Sequence, residues 1–302
     1  MKLGVALPIV DIGGEPDAIR DFAQAAEGIG YQGIAAPDHV LGVNVASRPE
    51  WTQGRARSTD LYHDPFVLFG FLAGCTGIED FSTQVLILPQ RQTVLVAKQT
   101  ACLDVLCAGR FRLGIGVGWN EVEFTGLNEN FRNRGRRSEE QVAVMQALWA
   151  EPHVDFTGKW HRIEDAGINP RPTPKSTGGR VPLWYGGHAD VTLRRVVKSG
   201  DGWMPLAYPP GEEAKAAIAK LRAYAEAAGR DPATIGIDTR VSAGGEEAQW
   251  REDVLFWKSC GVTHLTLANY YQSGHLRRIA GRSLADHIAA MTRYWNAVAD
   301  LL

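Results

Sequence analysis

Asp38 and His39 stand side by side at the end of a short apolar run, QGIAAPDHV (32–40). Histidine is the side chain whose ordinary pKa lies near neutral pH, and a neighbouring carboxylate can fix its tautomer. His39 is therefore the candidate for moving a proton during a reaction. A second group is RFRLGIGVGWNEVEF (110–124), which sets Gly114, Gly116 and Gly118 on alternate positions before Trp119 and Asn120. This is no dinucleotide fingerprint, because G-x-G-x-x-G would require glycine where Trp119 stands, and no Gly-Lys-Ser/Thr follows. Bare backbone on one face of a strand admits a flat ring, and it equally relieves crowding inside a barrel layer. The third group is Gly186-Gly187-His188, between a strand-like and a helix-like run. Free N–H groups at the start of a helix attract a phosphate, and a plain turn is the competing reading.

Other chemistries find less support. The eight histidines are scattered, and the four cysteines (Cys75, Cys102, Cys107, Cys260) show no C-x-x-C spacing, so no metal is expected. Asp38 and Glu121 are the carboxylates that a barrel hydrolase would use. The run Arg132, Arg134, Arg136, Arg137 reads as a solvated face or as helix-entry salt bridges, with an anion clamp as the alternative. A formal charge of −2 gives no case for nucleic acid or an anionic membrane. The opening MKLGVALPIVDIGG soon turns polar, and no stretch approaches the roughly 18 apolar residues of a span. A cytoplasmic protein with reduced thiols is expected.

The elements that must position these groups alternate along all 302 residues. Strand-like runs lie at 2–10, 32–40, 82–89, 111–118, 181–187, 200–205, 235–241 and 263–269. Helix-like runs lie at 16–30, 65–77, 94–109, 138–150 (with Ser138 as its N-cap), 190–200, 212–229, 246–261 and 284–302. Eight of each predict one α/β domain, a closed (β/α)8 TIM barrel over 1–302, with insertion loops at about 41–64 and 151–180. In such a barrel the working groups gather where the strands end. His39, Gln90, Gly118, Asn120, Gly187, Trp203, Arg240 and Asn269 all fall there.

Long stretches carry a family resemblance. DPFVLFGFLAGCTG (64–77), VLILPQRQTVLVAKQTACLDVLCAGRFRLGIGVGWNEVEF (85–124), NRGRRSEEQVAVMQALW (133–149) and PLWYGGHADVTLRRVVKSGDGWMP (182–205) resemble the luciferase-like monooxygenase superfamily. They are most similar to its branch of coenzyme F420 (deazaflavin) dependent oxidoreductases. The resemblance implies a TIM barrel with the cofactor at the carboxyl ends of the strands. It assigns Asp38 and His39 to the cofactor ring or the substrate above it. It assigns Val85-Leu86 to a non-proline cis peptide under the ring, Asn120 to a ring contact, and Gly186, Gly187 and His188 to the cofactor phosphate. Gly116 and Gly118 would then border the ring.

One departure bears on substrate. Relatives that oxidise glucose 6-phosphate have a glutamate where this chain has Val117 and a tryptophan where it has Val43. Val117, Trp119 and Trp203 suit a more apolar substrate. The expectation is hydride transfer between F420 and a small organic substrate, in a homodimer. An FMN-dependent monooxygenase using O2 and a non-catalytic flavin-binding protein remain the alternatives on this fold.

Overall fold

The computed structural model describes residues 1–174, 178–206, 208–270, 272 and 274–302. Part of the expected loop at 151–180, residues 175–177, lies outside the described residues. Nine parallel strand segments close into a barrel: β1 (Lys2–Ala6), β2 (Gly33–Ala36), β3 (Asp80–Thr83), β4 (Leu86–Ile87), β5 (Phe111–Gly116), β8 (Leu183–Gly186), β9 (Gly202–Met204), β10 (Gly236–Val241) and β11 (His264–Leu267). The two short segments β3 and β4 are one barrel strand, so the count is the expected eight, and pairing of β3 with β5 completes the circle. The separate strands β6 (Val154–Thr157) and β7 (Arg162–Ala166) pair as an antiparallel hairpin.

The third barrel strand is interrupted at the site. Ser82 pairs with Arg112, yet Leu86 pairs with Ile115. Four steps on one strand therefore match three on β5, the signature of a bulge. The extra residue falls at the cis peptide Gln84–Val85. The expected cis bond is thus found one residue earlier than the Val85-Leu86 pair, with Val85 on its C-terminal side.

Helices surround the barrel because their apolar residues recur at helical spacing. In α2 (Pro16–Ile29), Ile19, Phe22, Ala23 and Ala26 are buried on one face. Proline at its first position and the left-handed Gly30 after it set its limits. α3 (Pro65–Cys75) is capped by the Asp64 carboxylate, which accepts from the N–H groups of Phe66 and Val67. α4 (Thr93–Leu106), α7 (Asp190–Ser199), α8 (Glu212–Ala227), α9 (Glu247–Ser259) and α10 (Leu284–Val298) complete the ring with α6 (Arg134–Ala150). No helix among the described residues is long and apolar enough to cross a membrane.

Local corrections concern ends and insertions. The first strand stops at Ala6, and the short α1 (Ile9–Ile12) follows Pro8. Ser138 is not a cap: α6 begins at Arg134, and the buried Ser138 hydroxyl donates to the Gly135 carbonyl. Of the arginine run, Arg134 donates to the Gly118 carbonyl and Arg137 pairs with Glu129, so these two brace the mouth. The 151–180 insertion is built around the β6–β7 hairpin rather than being a plain loop. Glu140 of α6 accepts from the N–H groups of Lys159, Trp160 and His161 and from the His161 ring, pinning the hairpin to the barrel.

The barrel interior is polar as well as packed. Arg112 bridges Asp80 and Asp238. Gln84 donates to Asp238 (3.1 Å) and to Thr266 (2.8 Å), and Arg240 donates to the Gln84 carbonyl (3.0 Å). This buried chain of bonds ties the bulged strand to the opposite wall. Burial alone would raise the Asp80 carboxyl, but the Arg112 charge and hydrogen bond hold it below its ordinary value.

Candidate active site

His39 follows β2 at the carboxyl end of the barrel. Its Nδ1 lies 3.2 and 3.3 Å from the two carboxylate oxygens of Glu123. Glu123 sits in the first turn of α5 (Glu121–Gly126) and is almost wholly buried, at 1% exposure. It also accepts from Val40 N–H (3.0 Å), Leu41 N–H (3.3 Å) and the Gln90 amide (3.5 Å). Burial opposes its charge, but the His39 hydrogen bond and the backbone donors outweigh it and lower the pKa. Glu123 is therefore an anion at neutral pH, and as an acceptor it fixes a proton on Nδ1 of His39. Nε2 is left as the basic nitrogen.

This corrects the expected pairing of His39 with Asp38. The Asp38 carboxylate turns away, accepting from Arg91 (2.7 Å) and from Ile87 N–H (3.0 Å). Arg91 in turn pairs with Asp64, the cap of α3. Asp38 thus anchors β4, just beyond the bulge. The hydrolase reading loses its geometry as well. Asp38 is buried in that ion pair, while Glu121 is exposed at the start of α5.

The glycines serve the bulge. A Cβ placed on Gly116 would lie 2.6 Å from Val85 Cγ2, and one on Gly186 would lie 2.8 Å from Val85 Cγ1. Val85 is wedged between β5 and β8 by their bare ends and remains half-buried at the mouth. Gly114 would meet the Thr83 carbonyl at 2.1 Å. Gly118 has φ +74°, and a Cβ there would meet Ile87 at 2.6 Å. The packing reading of these glycines accounts for every contact. Gly116 and Gly118 make room for Val85 and Ile87; Leu86 between them is wholly buried, so of the three Val85 is the most open at the mouth.

Asn120 caps α5: its Oδ1 accepts from Val122 N–H at 3.1 Å. That bond identifies the other side-chain atom as Nδ2, which is buried and has no hydrogen-bond partner. A buried donor without an acceptor is costly, about 1–3 kcal/mol, so Nδ2 is free to donate to a ligand or to a water. A small recess elsewhere at the mouth is lined by Gly116, Val117, Ser138, Gly186, Thr192 and Arg195, among others. Thr192, in the first turn of α7, is one of its walls. Arg195 is held by Glu139 (2.8 Å) and by the Gly135 carbonyl (3.0 Å). Gly187 takes φ +125° and accepts from Trp203 Nε1 at 2.8 Å. His188 packs edge-on against Tyr208, and desolvation lowers its pKa. It is neutral at pH 7 and offers a hydrogen bond without a charge.

The first insertion covers His39. The Tyr62 ring is 4.8 Å and the Trp119 ring 6.0 Å from the imidazole. Trp51 lies 5.5 Å from Trp119, and Arg55 stacks over Trp119 at 5.4 Å. The site therefore brings together His39, Val85, Gly116, Gly118, Asn120, Gly186, Gly187 and His188 along one rim and adds Glu123, Thr192 and Arg195. The signal for Glu123 was present: Asn120-x-x-Glu123 is a helix start with an acid in its first turn, aimed back at the strand end.

Comparison with known proteins identifies the family and the fold. The family model described as "Luciferase-like monooxygenase" matches residues 1–301. An uncharacterised protein of Mycobacterium tuberculosis is 31% identical over 225 residues, covering 71% of this chain and 75% of that protein. An F420-dependent glucose-6-phosphate dehydrogenase of Kineococcus radiotolerans is 25% identical over 282 residues, covering 91% and 78%. The crystal structure of an F420-dependent secondary alcohol dehydrogenase with an F420–acetone adduct superposes with a TM-score of 0.75 at 19% identity, covering 98% of each chain.

Proposed function

This chain belongs to the luciferase-like monooxygenase family of oxidoreductases, and from that premise we propose that it is an F420-dependent dehydrogenase acting at an alcohol or carbonyl carbon. The observation that carries the reading is the His39–Glu123 pair, a fixed base at the barrel mouth. Oxidising an alcohol removes a hydride from carbon and a proton from the hydroxyl, and Nε2 of His39 is the group that takes that proton. Glu123 stabilises the imidazolium so formed, as a buried carboxylate does in other acid–base pairs. Val85 and its neighbours would support the ring, Asn120 Nδ2 would donate to a ring acceptor, and Gly186, Thr192 and Arg195 of the recess, with Gly187 and His188 next along the chain, would hold the phosphate. Bound there, the deazaflavin supplies the hydride acceptor. The named F420-dependent relative and the named secondary alcohol dehydrogenase support this choice.

The family name also supports FMN with O2 as a second reading, because both cofactors need the same ring floor and phosphate recess. Anaerobic mixing with F420 and a panel of secondary alcohols tests the first reading. Bleaching of the deazaflavin visible band, slowed by deuterium on the carbinol carbon, is the expected result. Oxygen uptake with reduced FMN and no bleaching of F420 would favour the second.

The proposed assembly is a homodimer in the cytoplasm, the latter consistent with four free cysteines. α3 carries no charge on any face, and Val67 and Phe71 are exposed on it, beside Leu95 and Leu106 of α4. A two-fold interface sets the same patch against itself, and an uncharged apolar face does so without opposing like charges.

A further inference from the structure

We propose that the substrate carries an anionic group on a flat, conjugated body, and that Arg55 of the first insertion receives that group. This rests on the reading of His39 as the reacting base. The ring of Trp119 neighbours both: His39 lies 6.0 Å from it and the Arg55 guanidinium 5.4 Å. The charge would therefore sit beside the same aromatic ring as the reacting base. Among the described residues Arg55 makes no ion pair and no hydrogen bond, and it is exposed at the mouth.

A second observation points to a ligand at the same place. Trp51 Nε1 is buried without a hydrogen-bond partner, and its ring lies 5.5 Å from Trp119. It is a second donor in a ring packed against the same Trp119, and an anionic oxygen would satisfy it. Trp51, Tyr62 and Trp119 offer ring faces and edges, the surroundings a conjugated body prefers over a branched aliphatic one.

Calorimetric titration of the F420-loaded protein tests this with trans-cinnamate, its neutral isostere trans-cinnamamide, and phenyl phosphate. Expected is about ten-fold tighter binding of at least one anion than of the amide, the effect of one charge-assisted hydrogen bond. The tighter anion of the two tells carboxylate from phosphate. Arg55→Gln should bring anion and amide within about three-fold of each other, and Arg55→Lys should keep most of the preference. Trp119→Leu should weaken acid and amide alike. F420 affinity is measured in the same variants. Equal affinity of acid and amide in the parent, no binding of either anion at millimolar concentration, or an unchanged preference in Arg55→Gln would overturn the proposal. A loss confined to F420 binding in Arg55→Gln would also overturn it, by assigning Arg55 to the cofactor tail. Absence of F420 binding in the parent would instead overturn the cofactor reading.

Discussion

Glu123→Gln probes the site at its centre. In the parent, one carboxylate accepts from His39 Nδ1, Val40 N–H, Leu41 N–H and Gln90. Glutamine keeps one acceptor oxygen, which the two backbone N–H groups will take because they cannot rotate away. Its NH2 group then faces His39 Nδ1. Nδ1 is almost equally far from the two carboxylate oxygens (3.2 and 3.3 Å), so the new NH2 donor competes with Nδ1–H there, and the expected response is a proton moved to Nε2 with Nδ1 accepting. The substituted enzyme loses a hydrogen bond to a charged group, about 1.5–3 kcal/mol. It also loses the basic nitrogen on the substrate side. A positioned general base contributes about 10²–10⁴-fold, so hydride transfer should fall by at least about 10²-fold. Cofactor affinity should stay within about three-fold, because Glu123 does not line the phosphate recess. Nitrogen-15 NMR of the imidazole reads the tautomer directly: Nδ1–H in the parent and Nε2–H in the variant. An unchanged tautomer together with an unchanged single-turnover rate would refute the reasoning. His39→Ala provides the companion loss, with the same cofactor affinity.

Three further outcomes follow from the same contacts. Gly116→Ala should overpack against Val85 and cost about 1–3 kcal/mol by denaturant unfolding, and adding Val85→Ala should recover at least about 1 kcal/mol of it; strict additivity would separate the two residues. Arg195→Gln should weaken FMN and F420 by about ten-fold while leaving riboflavin, which has no phosphate, unaffected; a parallel loss for riboflavin would move the phosphate elsewhere. Desolvation first, and then the Arg112 charge, lowers the pKa of the half-buried His264 from the ordinary 6.5 to about 4. A depressed folded pKa means that its contribution is complete above 6.5 and is lost as pH falls towards 4, about 3 kcal/mol in all. His264→Gln should flatten the stability profile in that window, and an unaltered profile would assign the acid sensitivity to other groups.

The barrel was legible because strand and helix periods alternate cleanly, and the number of barrel strands and their carboxyl-end residues followed from that. The bulge in the third strand was not, because a one-residue register change is decided by pairing with Arg112 and Ile115 rather than by local pattern. The meaning of Gly114, Gly116 and Gly118 depended on it: alternate glycines signal close approach, but only the fold shows that Thr83, Val85 and Ile87 are what approach. Asp38 beside His39 was misleading for a related reason. Neighbours in an extended chain point to opposite sides, so the carboxylate next in sequence reaches Arg91, and the partner of His39 comes from 84 residues away. The β6–β7 hairpin escaped notice because its pattern is largely exposed and carries little apolar alternation.

Parallel titration of the purified protein with oxidised F420 and with FMN, followed by intrinsic tryptophan fluorescence, tests the central claim most directly. The account predicts saturable F420 binding at least about ten-fold tighter than FMN binding. FMN binding tighter by the same margin would contradict it.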